Sequence, residues 1–227
     1  MKKIIVLMLM SVSLMMADNL LKAGTYSWHK GGATASLTVK KDKANGYGIV
    51  GDALYGMSRK YGPNLGDLSF TGFMKNGKLV YTEGKGEDKY TLILKVRKDG
   101  SFDISEEGLP PFGHNVSFAG HFTSDDKPSF LCSKARTFTE KAICDNKGLA
   151  RLDRKMARAY SLLKSGFFYK ENGETKVNAL KKEQRAWGKQ RNACAKQKAY
   201  LSCYERSYFE RIKILDQGFE GLWTYKE

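Results

Sequence analysis

The chain has 227 residues, 41% of them apolar and 28% charged, with a formal net charge of +15. This balance is that of ordinary globular protein and excludes a disordered or fibrous chain, and the length allows one large domain or two small ones. Read in chain order, Met1, Lys2 and Lys3 followed by an uncharged run over 4–17 form the basic and apolar regions of a secretory signal, too short to span a bilayer. Residues 1–17 are therefore expected to be a signal peptide, removed on export to the periplasm or beyond. No cysteine lies near its end, so no lipid anchor on a lipobox cysteine is expected, and no later stretch is apolar enough to cross a membrane.

Residues 18–122 read as an antiparallel β domain, with apolar and polar positions alternating at period two. Leu68, Phe70 and Met74 share one parity, as do Tyr90, Leu92, Leu94 and Val96, and again Val116, Phe118 and Gly120. Asn76-Gly77 and Asp99-Gly100 supply the positive φ angles that two-residue hairpin turns need. Further strands are expected at 25–28, 35–39 and 47–54. Gly46, Gly48, Gly51 and Gly56 fit bulges and bends at barrel corners. About seven or eight short strands joined by tight turns predict a meander that closes into a barrel or a sandwich. Trp28, Tyr47 and Phe118, if they point inward, fill its interior and leave no room for a cargo.

Residues 123–130, polar with one proline, form the expected linker, and from 131 to 227 the period becomes helical. Thr137 with Glu140 reads as a capping box opening a short helix that ends near Cys144. Asp145 is then the expected cap of a longer helix carrying Leu149, Leu152, Met156, Tyr160 and Leu163, with Gly166 placed to end it. After Asn172-Gly173 a second stripe runs through Leu180, Gln184, Trp187, Arg191 and Cys194. A third runs through Leu201, Tyr204, Tyr208, Ile212 and Leu215. The fold class is thus α+β with two domains: an N-terminal antiparallel β-barrel or sandwich, then a small disulfide-stapled α-helical bundle.

All four cysteines, Cys132, Cys144, Cys194 and Cys203, lie in the helical half. An even number in an exported chain predicts two disulfides. Four cysteines allow three connectivities; Cys132 with Cys144 and Cys194 with Cys203 is the expected one, because each pair closes a short local loop. Their spacings are not those of a zinc site and no histidine accompanies them. Charge follows the same division. Residues 18–126 carry 14 Lys and Arg against 13 Asp and Glu, whereas 127–227 carry 23 against 11, a local excess of +12.

The helical half holds a recurring pattern: Phe130-Leu-Cys132, Thr139-Glu140 to Cys144, Leu149-Ala-Arg-Leu-Asp153, Tyr160, Leu180 to Gln184, Trp187, Arg191 to Cys194, Leu201-Ser-Cys203, Tyr208 to Arg211, and Leu215. It resembles the LprI-type lysozyme inhibitor family over roughly 130–217, including both cysteine pairs; the β domain resembles no family that we recognise. The resemblance implies a compact helical module in the envelope, a lysozyme-like hydrolase as protein partner, and structural motif positions at Glu140, Asp153, Tyr160, Gln184, Trp187, Arg191, Tyr208 and Arg211. A basic lysozyme would be repelled by a +12 module, so contact would need an acidic spot or the near-neutral β domain. Glu140, Asp145 and Asp153 are the nearest acidic candidates. Asp145 reads first as a cap, and Glu140 and Asp153 as partners of Arg191 or Arg211. Trp187, Tyr160 and Tyr208 read as core residues with polar tips.

The sequence offers no enzyme: no nucleophile with its base, no G-x-S-x-G elbow, no phosphate loop and no metal-ligand spacing. His29, His114 and His121 are scattered singly through the β domain. No cofactor is expected. The function read here is a secreted envelope binding protein, a lysozyme inhibitor or a relative of one. The alternative is an adaptor whose basic helical face grips an anionic envelope polymer such as lipopolysaccharide. Nucleic acid is not the expected partner, and the oligomeric state stays open.

Overall fold

The computed structural model describes residues 21–43, 46–56, 63–168 and 172–220. The expected signal peptide, 1–17, lies outside them. Eight antiparallel strands come first: β1 (Gly24–Lys30), β2 (Ala33–Lys41), β3 (Tyr47–Tyr55), β4 (Asn64–Gly72), β5 (Lys78–Glu83), β6 (Tyr90–Val96), β7 (Phe102–Gly108) and β8 (Gly120–Ser124). Four α-helices follow: α1 (Phe138–Asp145), α2 (Lys147–Phe168), α3 (Gly173–Ala193) and α4 (Tyr200–Glu220).

The strands form one sheet in the order β4-β3-β2-β1-β8-β7-β6-β5, a nearly closed barrel made of two four-stranded meanders. The meanders meet where β1 pairs with β8, Tyr26 opposite Ser124 and Ser27 opposite Thr123. At the other seam β4 and β5 are neighbours in sequence but their hydrogen bonds stop at a single bridge, Lys75 with Lys78. Side chains close that seam instead: Phe70 of β4 stacks on Tyr81 of β5 with ring centroids 4.5 Å apart.

Period-two patterning places the expected residues inside. Leu68, Phe70, Tyr90, Leu92, Leu94 and Val96 are all buried, together with Leu37, Ile49 and Phe102. Tyr47 and Phe118 are fully buried and Trp28 packs against the same cluster. Phe102 stacks on Phe122 at 5.1 Å and meets the tilted ring of Tyr26 at 4.8 Å. Side chains therefore fill the interior, as a barrel of about eight strands allows.

Several local expectations change. Asn76 and Gly77, with φ of 52° and 70°, make the expected two-residue turn, but the strands beside it do not continue as a ladder. At Asp99-Gly100 only Gly100 has positive φ, at 81°. Arg97 and Ser101 close a longer loop there, in which Asp99 Oδ1 accepts from the backbone N–H and the hydroxyl of Ser101 at 3.0 and 2.5 Å. Val116 and Phe118 are buried but precede β8 in irregular chain. Gly48 and Gly51 are not bulges, since β2 and β3 pair without interruption from Ala33–Tyr55 to Lys41–Tyr47. Gly51 serves close approach: a Cβ there would overlap Leu37 Cδ2 and the Ser36 carbonyl oxygen.

In the helical half the capping box is present. Thr137 Oγ1 accepts from the Glu140 N–H at 3.2 Å, and Glu140 Oε2 accepts from the N–H groups of Thr137 and Arg136 at 2.9 and 2.8 Å. Asp145 is the last residue of α1. The cap of α2 is its neighbour Asn146, whose Oδ1 accepts from the Leu149 N–H at 3.0 Å. Gly166 does not end α2; it lies buried within it. On α4, Tyr204, Tyr208, Ile212 and Leu215 are buried, whereas Leu201 faces solvent. Two disulfides, Cys132–Cys144 and Cys194–Cys203, staple α1 to the segment before it and α4 to the end of α3. The core between the helices gathers Ile143, Leu149, Leu163, Leu180 and the α4 stripe.

Candidate functional site

The positions singled out in the sequence fall into two buried polar sets, except for Tyr160, which packs against the helical core, and Glu140, which serves the α1 cap. Asp153, on the inner face of α2, is 3% exposed. Its Oδ1 accepts from the Tyr208 hydroxyl at 2.8 Å and its Oδ2 from the N–H and hydroxyl of Ser129 at 2.8 and 2.6 Å. Arg191 Nη1 lies 3.9 Å from the same carboxylate and donates to Tyr208 Oη at 2.9 Å. The guanidinium also sits 5.1 Å from the Trp187 ring, whose indole N–H donates to Ser207 O at 3.1 Å. Burial, then the adjacent Asp153 charge, pushes the Tyr208 phenol well above its usual range, so the phenol remains a donor. A buried carboxylate thus receives three hydrogen bonds and one cation, the arrangement that burying a charge demands.

A second, smaller set surrounds Arg211. Its Nε donates to Gln184 Oε1 at 2.8 Å, and its Nη1 lies 3.7 Å from Glu183 Oε2. Gln184 Nε2 in turn lies 2.9 Å from Met156 Sδ. Burial lowers the Arg211 pKa while Glu183 opposes it, and a guanidinium stays cationic across the physiological range. Tyr160 packs half-buried against the helical core. Glu140 stands apart from both sets, committed to the α1 cap. The backbone N–H groups of Thr137 and Arg136 hold its carboxyl below the usual range. Of the two expected acid partners of Arg191 and Arg211, Asp153 reaches Arg191; Glu140 is bonded elsewhere, and Arg211 takes Glu183 and Gln184.

Outside this packed interior α3 and α4 leave a groove of about 520 Å³, walled by Trp187, the Cys194–Cys203 disulfide, Arg206 and Arg211. A second cavity of about 310 Å³, reaching Leu163, Phe167 and Gly218, shares Glu183, Arg211 and Ile214 with it. Arg211 therefore stands where the two spaces adjoin.

A third cavity, of about 720 Å³, lies where α2 meets the barrel, between the start of β1 and Arg151, Arg154, Lys155 and Arg158. The basic face of α2 is not free here. Arg151 Nη2 pairs with Asp126 at 2.6 Å, and Arg158 Nη2 lies 3.9 Å from Asp52. Arg154 spends its guanidinium on the connecting segment, donating to Thr123 Oγ1 at 2.6 Å and to the carbonyls of Lys127 and Pro128 at 2.8 and 2.9 Å. Burial, then the charges of Arg154 and Arg158, hold His29 of β1 below its usual pKa. Sequence reading missed Ser129, Arg154 and Glu183. Their signal was a polar residue in an apparent linker and charged residues adjoining motif positions, which no periodicity separates from solvated surface.

Residues 132–215 match the family described as lysozyme inhibitor LprI. The matched stretch holds both disulfides and all eight motif residues, and the family is one of inhibitors, not of catalysts. No curated protein and no solved structure matches the chain.

Proposed function

We propose that this protein is an exported envelope binding protein that acts as a lysozyme inhibitor or as a close functional relative of one, without hydrolytic chemistry of its own. The observation that carries the reading is the family match over 132–215, which coincides with the oxidised helical unit. Support comes from what the motif residues do: most serve as internal ties, so that binding falls to the rigid surface they hold, above all the α3–α4 groove. The barrel, its interior filled, is a second rigid surface and not a container. The division at 123–130 belongs to the same reading, with Arg154 and Ser129 fixing one domain against the other.

The test is lysis of cell-wall suspensions by a panel of acidic and basic lysozymes, with and without the oxidised protein, at two salt concentrations. Inhibition of at least one lysozyme in proportion to added protein is expected. Cell-wall cleavage by the protein alone would overturn the reading, as would inhibition of none. The excess of 23 basic over 11 acidic residues in the helical half favours a second reading, the adaptor for an anionic envelope polymer. Against it, Arg151, Arg154 and Arg158 are directed to carboxylates and carbonyls of this chain. Binding to lipopolysaccharide that weakens steeply with salt, without inhibition of any lysozyme, would favour the second reading.

A further inference from the structure

Beneath α2 the barrel wall carries a row of polar side chains. Thr123 of β8, Ser27 of β1, Ser36 of β2 and Asp52 of β3 are successive cross-strand partners, so one line of outward positions crosses four strands. α2 bridges the two ends of that line. Arg154 donates to Thr123 Oγ1 at 2.6 Å on the β8 side, and Arg158, one helical turn on, lies 3.9 Å from Asp52 on the β3 side. His29 is two residues from Ser27 on β1 and shares its face of the sheet, which places it between the two arginines. It is half-buried, opposite the uncharged Thr34 of β2, and its ring makes no hydrogen bond among the described residues. The charged groups around it are mostly committed elsewhere. Asp125 accepts from Ser27 at 2.5 Å, Asp126 is held by Arg151 at 2.6 Å, and Asp52 is 64% exposed. On β8, His121 is engaged with Asp103 at 2.9 Å, while Lys155 of α2 adds one more positive charge to the same junction.

We propose that His29 is a proton-sensitive catch at the contact between the two domains: a proton taken up by its ring sets a third cation between Arg154 and Arg158 and loosens α2 from the barrel. Arginine keeps its charge throughout the range in which histidine titrates, so the change at this contact comes from the ring alone. Burial, then the two arginines, hold the ring below its ordinary pKa, and lifting α2 away removes both arginines, so the loosened state binds the proton more readily. By linkage the contact has its full strength above the ordinary histidine value of about 6.5, weakens as pH falls through that value, and levels off below the value of the docked ring. The acid-driven loosening concerns how the two domains hold each other and is independent of what the protein binds.

The experiment cuts the full oxidised chain and its His29→Gln variant with proteinase K at the same pH and takes the ratio of their cleavage rates within 123–130, so that the pH dependence of the protease cancels. Arg154 ties that segment to the barrel and to α2, and its opening reports the contact. The ratio of wild type to His29→Gln is expected to rise at least about twofold between about pH 8 and about pH 5.5. The ratio of wild type to His121→Gln, taken in the same way, should stay level. A second readout does not depend on cleavage: the ring resonances of His29 are titrated in wild type and in Arg158→Gln, where loss of the facing cation should move the ring pKa upward. A wild-type to His29→Gln ratio that does not rise in acid, an equal rise against His121→Gln, or a ring that titrates alike with and without Arg158 would overturn the proposal. No lysozyme enters either measurement, so inhibition and the catch stand or fall separately.

Discussion

Replacing Asp153 tests whether the helical domain is organised around one buried carboxylate. Asp153→Ala removes the acceptor of three hydrogen bonds of 2.6 to 2.8 Å and leaves Arg191 without its neighbouring counter-charge. Hydrogen bonds to a charged group contribute about 1.5–3 kcal/mol each, and they are not additive when they share one group. Breaking a buried ion pair from one side costs about 3–5 kcal/mol, which we take as the expected loss. Asp153→Asn is a different perturbation. Its amide oxygen can take the Ser129 N–H and hydroxyl, while its NH2 would face Tyr208 Oη, which already accepts from Arg191 and whose proton loses its acceptor. That variant loses the charge and one hydrogen bond but keeps the two to Ser129, and should cost about 1–3 kcal/mol. Thermal unfolding followed at 222 nm reports the helical half. For a domain below about a hundred residues the alanine variant should unfold about 12 °C or more below wild type, and the asparagine variant well under that. Equal losses in the two variants, or a loss below about 1 kcal/mol for alanine, would refute a carboxylate-centred network.

Four further outcomes follow from particular contacts. Arg154→Ala should expose 123–130 to proteinase K at least about tenfold faster, since three charged-donor bonds to that segment vanish; an unchanged cleavage rate would remove Arg154 as the tie between domains. Glu140 has its folded pKa depressed by the Thr137 and Arg136 N–H groups, so its contribution is present above the unfolded carboxyl value and is lost as pH falls through the folded one. The stability difference between wild type and Glu140→Gln in urea titrations should therefore hold steady above about pH 5 and shrink as pH falls below the unfolded carboxyl value of about 4.3. Cys132→Ala with Cys144→Ala should lower helical-domain stability by about 2–4 kcal/mol in the same assay and leave the β signal near 218 nm unaffected. Gly51→Ala should do the reverse, destabilising the barrel by about 1–3 kcal/mol through overlap with Leu37 and the Ser36 carbonyl while the helices keep their transition.

Patterns that repeat were legible in the sequence, and single contacts were not. The parity of Tyr90, Leu92, Leu94 and Val96 located a buried strand face because alternation is imposed by the pleat. The Thr137–Glu140 box and both disulfides could be read because their partners lie close along the chain. Boundaries failed where two neighbours could do the same job: Asn146 caps α2 in place of Asp145, and the difference is one residue of backbone phase. Gly166 failed because a helix tolerates glycine where packing holds both sides. The β4–β5 seam could not be foreseen, since a good turn at Asn76-Gly77 fixes the bend and not the ladder beyond it. In the site, Asp153, Arg191 and Arg211 were identified as residues, but the allocation of partners depends on helix rotation. Arg191 took the buried acid, and Arg211 was left facing the groove.

The pairing of β1 with β8 sets an order of events. Ser27 donates to Asp125 at 2.5 Å across 98 residues of chain, and among the described residues this seam is where a hydrogen-bonded strand pair joins the first meander to the second. Closing so long a loop adds little free energy, because the entropy grows only with the logarithm of its length, but it comes late in time. As the polypeptide is made from its amino end, the β1 edge must stay unpaired until the eighth strand has emerged, and an unpaired edge invites association with other chains. The Arg154 and Ser129 bonds hold the chain just past that eighth strand. Contacts from α2 thus help to hold in place the strand that closes the sheet.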